Sequence, residues 1–217
     1  MNEKEIRSII ECVIDRYTKA VGVPAEKSDD SIFAEASARH VHLTQSDVEK
    51  LFGQGETLNC VRELSQPGQF LSDKRVKLVT KKGSIENVAV LGPVRPETQV
   101  ELSMTDCRGL GLSAPVNMSG DLNGAADVYI FGDKGMICAE KSVIVAKAHI
   151  HMTSADAKRL CVTDGQRVRV KVDSARPLTF DDVIIRVNDN FSLSMHIDFD
   201  EANACLLGKN TKAYIIK

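Results

Sequence analysis

The 217-residue sequence has no tryptophan, and aromatic residues make up only 5% of it. It also lacks any apolar run near the ~18 residues that a membrane-spanning helix requires, so no membrane span is expected. Acidic and basic side chains number 30 and 28 and are mixed along the chain. A nucleic-acid-binding face, which carries a basic excess, is therefore not expected. The six cysteines, at 12, 60, 107, 138, 161 and 205, form no C-x-x-C pair, which leaves a thiolate zinc finger without support. There is no signal-peptide pattern, and a disulfide framework is not expected. We read a reducing, cytoplasmic compartment and mostly buried free thiols. Neither a G-x-G-x-x-G dinucleotide fingerprint nor a G-x-S-x-G nucleophile elbow is present.

What is present suffices for a packed core, with 43% hydrophobic residues. The length suits one large domain or two small ones. Residues 1–20 predict an amphipathic helix, because Ile6, Ile9, Ile10, Val13, Ile14 and Tyr17 fall on one stripe opposite charged side chains. Residues 21–27, with Pro and Gly, read as a linker. Beyond it the texture changes to short alternating or apolar runs, such as 75-RVKLVT-80, 127-DVYIFG-132 and 167-RVRVKV-172, separated by turn signals at 81–83, 132–135, 164–165 and 188–189. Many short strands with a few short helices, near 45–52, 105–110, 154–160 and 200–206, indicate a mainly β fold of barrels or sandwiches.

The chain has five histidines, and four stand in two H-x-H pairs. His40-Val41-His42-Leu43-Thr44-x-x-Asp47 repeats as His149-Ile150-His151-Met152-Thr153-x-x-Asp156, each ending in a capping-box-like Thr and Asp. A later segment also repeats. Val100-Glu101-Leu102 lies over Met195-His196-Ile197, which places Glu101 where the fifth histidine stands. The duplication predicts two similar β units related by a pseudo-two-fold and facing each other across a shared site. In a strand, residues i and i+2 point to one face, so each pair can reach one metal together. A single H-x-H is commonly just a hydrogen-bonded pair. The duplication favours ligation, with His40, His42, Glu101, His149, His151 and His196 as candidate donors. Six donors are too many for one tetrahedral zinc and suit two metals that each keep an open position.

Arg95, between Pro93 and Pro96, could fork onto a phosphate. A surface arginine in a turn is the plainer alternative. Arg39 directly precedes the first pair and is a candidate anion contact, with a salt bridge as its alternative. The Gly-rich segment 117–124 could present backbone N–H groups to an anion or be only a loop.

The motifs ARHVHL, LSQPGQF, LGPVRPETQVE, AHIHMT and MHIDFDEANA, spread over about residues 33 to 206, resemble the phosphate propanoyltransferase family, the phosphotransacylases of propanediol utilisation. The resemblance implies two pseudo-symmetric β-barrel domains capped by short helices, with two zinc ions between them. It implies barrels built from 28–38 with 147–217 and from 39–146. It implies the six donors above as the metal ligands, Arg95 as the phosphate contact and Ser119 near the substrates. The implied activity converts propanoyl-CoA, or acetyl-CoA, and phosphate into acyl phosphate and CoA. No protein nucleophile is needed for this, so direct transfer is expected. Some family members work inside bacterial microcompartments, which would make the N-terminal helix an attachment to shell or cargo. A homo-oligomer is left open. A dinuclear metal-dependent hydrolase of a thioester or phosphate compound is the competing reading. A third is a double barrel whose metals only join its halves.

Overall fold

A computed structural model of the chain describes residues 30–216, together with Ile6, Ile9, Ile10 and Val13. The chain is mainly β, with fourteen strands and four short helices between residues 32 and 216. The strands are β1 Ile32–Ala36, β2 His40–His42, β3 Cys60–Glu63, β4 Phe70–Val79, β5 Ser84–Gly92, β6 Gln99–Glu101, β7 Val116–Asn117, β8 Ala126–Phe131, β9 Met136–Ala146, β10 His149–Met152, β11 Arg167–Asp173, β12 Leu178–Val187, β13 Ser194–Ile197 and β14 Lys212–Ile216. The helices are α1 Gln45–Phe52, α2 Met104–Leu110, α3 Ser154–Leu160 and α4 Phe199–Ala204.

One barrel closes in the order β1-β13-β10-β12-β11-β14, with β14 returning to β1. In the other, β8 pairs with both β4 and β9 and so closes the path β4-β5-β2-β6-β9. Pair by pair, the two barrels have the same directions. β10 and β12 are parallel, as are β2 and β5, while β10/β13 and β2/β6 are antiparallel. The first strand of each half is exchanged: β1 joins the C-terminal strands, and β9 runs parallel to β6 of the N-terminal half. Each barrel buries its own apolar cluster, one around Val41, Leu78 and Val100, the other around Ile150, Val170 and Met195.

Local sequence explains these elements. β11, RVRVKVD, alternates strictly, with Val168, Val170 and Val172 inward. β9 alternates through Ala139, then kinks at Lys141 (φ 47°), whose N–H donates to Asp127 Oδ1 at 2.7 Å. Beyond the kink Val143–Val145 are buried without alternation. The helices, at six to eight residues, are too short to persist alone and depend on caps and packing. Thr153 and Asp156 form the full reciprocal capping box of α3. The equivalent pair at α1 differs. Thr44 Oγ1 accepts from Asp47 N, but the return path runs through Thr98, whose Oγ1 accepts from Thr44 N and donates to Asp47 Oδ2 at 2.7 Å. The 132–135 turn packs against the end of α1, where Lys134 N–H donates to Leu51 O; a Cβ on Gly132 would stand 2.4 Å from that oxygen.

Two expectations need correction. β3, β7 and β14 were not among the expected strands. β3 lacks an alternating pattern because it is an edge strand with every residue exposed. Among the described residues the thiols are not mostly buried and free: Cys107 and Cys205 are, but Cys60 and Cys138 are free and exposed on outward strand positions, and Cys161 is disulfide-bonded. Of the expected N-terminal helix, Ile6, Ile9, Ile10 and Val13 are helical and exposed; the rest of it and the linker lie outside the described residues. No helix among the described residues is long and apolar enough to cross a membrane.

Candidate metal centre

The strands that carry the repeated motifs bring the six candidate donors to one place. In β2 and β6 the register sets His40 opposite Glu101, and in β10 and β13 it sets His149 opposite His196. His40, His42 and Glu101 form one compact cluster and His149, His151 and His196 another, each with donor atoms within 4.8 Å of one another. Both clusters line a single cavity of about 360 Å³. Every donor except His196 is at most 7% exposed.

The halves also share their outer contacts. Nδ1 of His40 is 2.7 Å from the carbonyl of Ala38, and Nδ1 of His149 is 2.8 Å from that of Lys147. A carbonyl only accepts, so each ring is protonated at Nδ1 and keeps its lone pair at Nε2. Nε2 of His149 lies 3.1 Å from Nε2 of His151. Two nitrogens at 2.0–2.1 Å on one tetrahedral zinc would be about 3.3 Å apart. Nδ1 of His42 and of His151 is buried without a hydrogen-bond partner. Around Glu101, Gln99 Nε2 donates to Oε1 at 2.6 Å, and His40 Nε2 stands 3.5 Å from Oε2.

Burial disfavours the charged form of four of the imidazoles, His42, His149, His151 and His196. Burial lowers the pKa of His149 and of His196 to about 4, against a weaker upward pull from Glu101. Burial and the neighbouring His149 take His151 to about 2. His42 is depressed further still, by burial, His40 and Arg95. Burial opposes ionisation of Glu101, but His40, the Ser119 hydroxyl, Arg95 and His149 outweigh it and hold its carboxyl below the usual range. Five imidazoles plus one carboxylate, in two groups of three, are a donor set that fits two divalent cations with open positions.

Arg95 and Arg186 line the same cavity. Arg95 follows the cis Gly92–Pro93 peptide, and its backbone N–H donates to Leu43 O at 2.9 Å, tying it to the end of β2. Its Nη1 is 3.4 Å from Ser119 Oγ, which in turn accepts from Gln99 Nε2 at 3.0 Å. The Gly-rich loop is anchored there too, by Gly120 N–H donating to Gln99 Oε1 at 2.8 Å. Burial lowers the pKa of both guanidinium groups, and Glu101 acts against it. Arg39 lies on the cavity wall, and its Nε is 3.3 Å from Asp106 Oδ2, the ion pair that its alternative reading allowed.

Four residues escaped the sequence reading. Arg186 sits opposite His151 in the register. An arginine inside the apolar run VIIRV was the available signal. Gln99 stands two residues before Glu101 and so shares its strand face. Phe191 packs edge-on against His151 at 4.3 Å, with Arg186 over its ring at 5.9 Å. Gln66 is only 3% exposed; it lies inside the LSQPGQF motif, but nothing in the sequence singled it out there.

A model of the phosphate propanoyltransferase family matches residues 33–208. The chain belongs to that family. It is 51% identical to a phosphate propanoyltransferase of Clostridioides difficile over 99% of both chains. It is 52% identical to one of Leptotrichia buccalis over 94% of both. To one of Thermotoga maritima it is 49% identical, over 88% of this chain and 91% of the relative. The chain is thus an acyltransferase.

Proposed function

We propose that the chain interconverts a short-chain acyl-CoA and inorganic phosphate with an acyl phosphate and CoA, by direct transfer in the cavity between the barrels. Propanoyl-CoA is the expected substrate and acetyl-CoA a second one, since a single methylene is worth only about 1–3 kcal/mol in a pocket. One observation carries the reading: two three-donor clusters and two guanidinium groups converge on one cavity.

His40, His42 and Glu101 would hold one divalent cation, zinc or a similar ion, and His149, His151 and His196 a second. Such cations, when bound, polarise oxygens and offset the repulsion between anions. The protein's own groups do the rest. Arg95 and Arg186 fork onto phosphate oxygens, and the Ser119 hydroxyl steadies Arg95 beside them. Arg39, tied to Asp106, is a weaker anion contact on the wall. Holding phosphate against the thioester turns a bimolecular encounter into a positioned attack. Negative charge then grows on the former carbonyl oxygen, and one fixed donor there is worth about 2.7–4 kcal/mol. The thioester C–S bond breaks as CoA leaves. No acyl-enzyme is required, and none of the free cysteines among the described residues lines the cavity.

The two closed barrels serve as the two domains, 28–38 with 147–217 and 39–146. The exposed Ile6, Ile9, Ile10 and Val13 support attachment of the N-terminal helix to the shell or cargo of a microcompartment, with the enzyme otherwise cytoplasmic. Deleting residues 1–27 should then leave turnover intact. The deciding assay is CoA release from propanoyl-CoA with and without phosphate, run beside elemental analysis. Phosphate-independent release would favour the hydrolase, and a trapped acylated side chain would end direct transfer.

A further inference from the structure

The segment 64-LSQPGQF-70 lies outside the machinery described so far, although its residues Leu64, Ser65, Gln66 and Gln69 line the cavity. Its sequence dictates a rigid turn. Pro67 presets position i+1, and Gly68 takes φ 76° at i+2, which a residue without Cβ adopts freely. Gln69 N–H closes the turn on Gln66 O at 3.1 Å, and Leu64 N–H donates to Gln69 O at 2.9 Å. Gln66 is therefore delivered as a fixed side chain from the N-terminal half into the opposite barrel. There its Nε2 donates to Ser192 O at 2.9 Å and to Ser194 Oγ at 2.8 Å, while its Oε1 accepts from Ser192 N at 3.2 Å. Every hydrogen-bonding group of the amide is thus engaged across 126–128 residues of sequence.

Ser194 Oγ lies 2.9 Å from Nε2 of His196. The repeat shows what this contact replaces. Ser194 occupies the position that Gln99 holds in the first half, two residues before the donor residue and on its face. Gln99 reaches Glu101 with its own amide and is itself braced by Ser119 and Gly120. Serine is shorter, and in the second half the bracing comes from the other barrel. Glu35 of the exchanged strand approaches the same nitrogen, at 3.4 Å. Gln66 also pins Ser192, beside the Phe191 ring that rests on His151.

We infer that Gln66 is a positioning residue that orients His196 through Ser194 and so tunes the three-histidine cluster from the opposite barrel. The metal consequence rests on the two-cation reading above; the orientation of His196 does not. The test uses the full chain with Gln66→Met, Ser194→Ala and the double variant. Three quantities are measured: the His196 side-chain ¹⁵N resonances in metal-free protein, the zinc affinities by chelator competition, and the thermal midpoint. Gln66→Met should move the His196 resonances although it does not touch the ring, and should have no further effect once Ser194 is alanine. One of the two zinc affinities should shift by about 10–100-fold in each single variant, the size typical of altered contacts around a ligand, while the other stays unchanged. A lower thermal midpoint with unmoved His196 resonances would make Gln66 a structural staple only and overturn the inference. So would an equal response to Gln66→Met with and without Ser194. If the wild-type chain binds no zinc, the two-cation reading falls, and the resonance comparison still decides the role of Gln66. Should Gln66→Met not fold, unchanged resonances and affinities in Ser194→Ala would suffice to overturn it.

Discussion

The two halves of the chain share a topology but differ where the chemistry is concentrated. The first cluster contains a carboxylate, Glu101, braced within its own half by Gln99. The second is all imidazole, with an aromatic ring against His151 and a brace from the other barrel. A divalent cation in the first would therefore keep one positive charge fewer than in the second. The guanidinium groups diverge too. Arg186 lies within the regular β12 register, whereas Arg95 stands on an irregular Pro-containing segment after β5. The two halves share the strand register, which each barrel core enforces, and differ at the positions that face the cavity.

That asymmetry can be broken in order of expected effect. His42→Ala and His151→Ala should each lower phosphate-dependent CoA release by more than about 100-fold with unchanged circular dichroism, since losing a ligand exceeds the 10–100-fold cost of losing an outer contact. Full activity in either variant would mean that one cluster is dispensable and the halves are not equal partners. Arg95→Gln and Arg186→Gln should each reduce kcat/KM for phosphate by about 10²–10³-fold, as for a lost transition-state donor. A large effect from only one would assign the phosphate to that side.

Stability separates the halves as well. Glu201 at the start of α4 is pushed up to about 7, mainly by burial and further by Asp198 and Asp200. Its folded pKa lies above the unfolded value of 4.5, so the folded state binds the extra proton between these values. Its contribution is complete below about pH 4.5 and is lost as pH rises through about 7. Glu201→Gln keeps an acceptor for Asp198 N and should stabilise the protein above that pH, by up to about 3 kcal/mol, with little change at pH 4. Parallel melting curves against pH would show whether the difference opens between those values. The smallest effect concerns the caps. Thr153→Ala should cost about 1 kcal/mol at α3, and Thr98→Val a comparable or smaller amount at α1, where the capping bond runs through that hydroxyl. Denaturant titration measures both; a neutral Thr98→Val would show that α1 does not need its relay.

Much of the candidate site is legible in the sequence, because the signal is period-two spacing repeated. His40/His42 and His149/His151 share strand faces by geometry alone, and the alignment of Glu101 with His196 follows from the duplicated segment. The strands of high alternation, β8 and β11, were legible for the same reason. β3 was not, because an edge strand exposed on both faces carries no pattern. Arg186, Gln99 and Phe191 are ordinary residues until pairing sets them beside the clusters.

The sequence by itself determined the strand periodicity, the turn chemistry and the duplication, since these depend on neighbours two to four residues apart. Only the tertiary structure decided which barrel each strand completes and which side chains meet across the cavity. β1 pairs with β13 more than 150 residues away, and Gln66 reaches Ser194 across 128. Such contacts come from closing each barrel and setting the two side by side, which pairs strands and side chains that no local stretch of chain brings together.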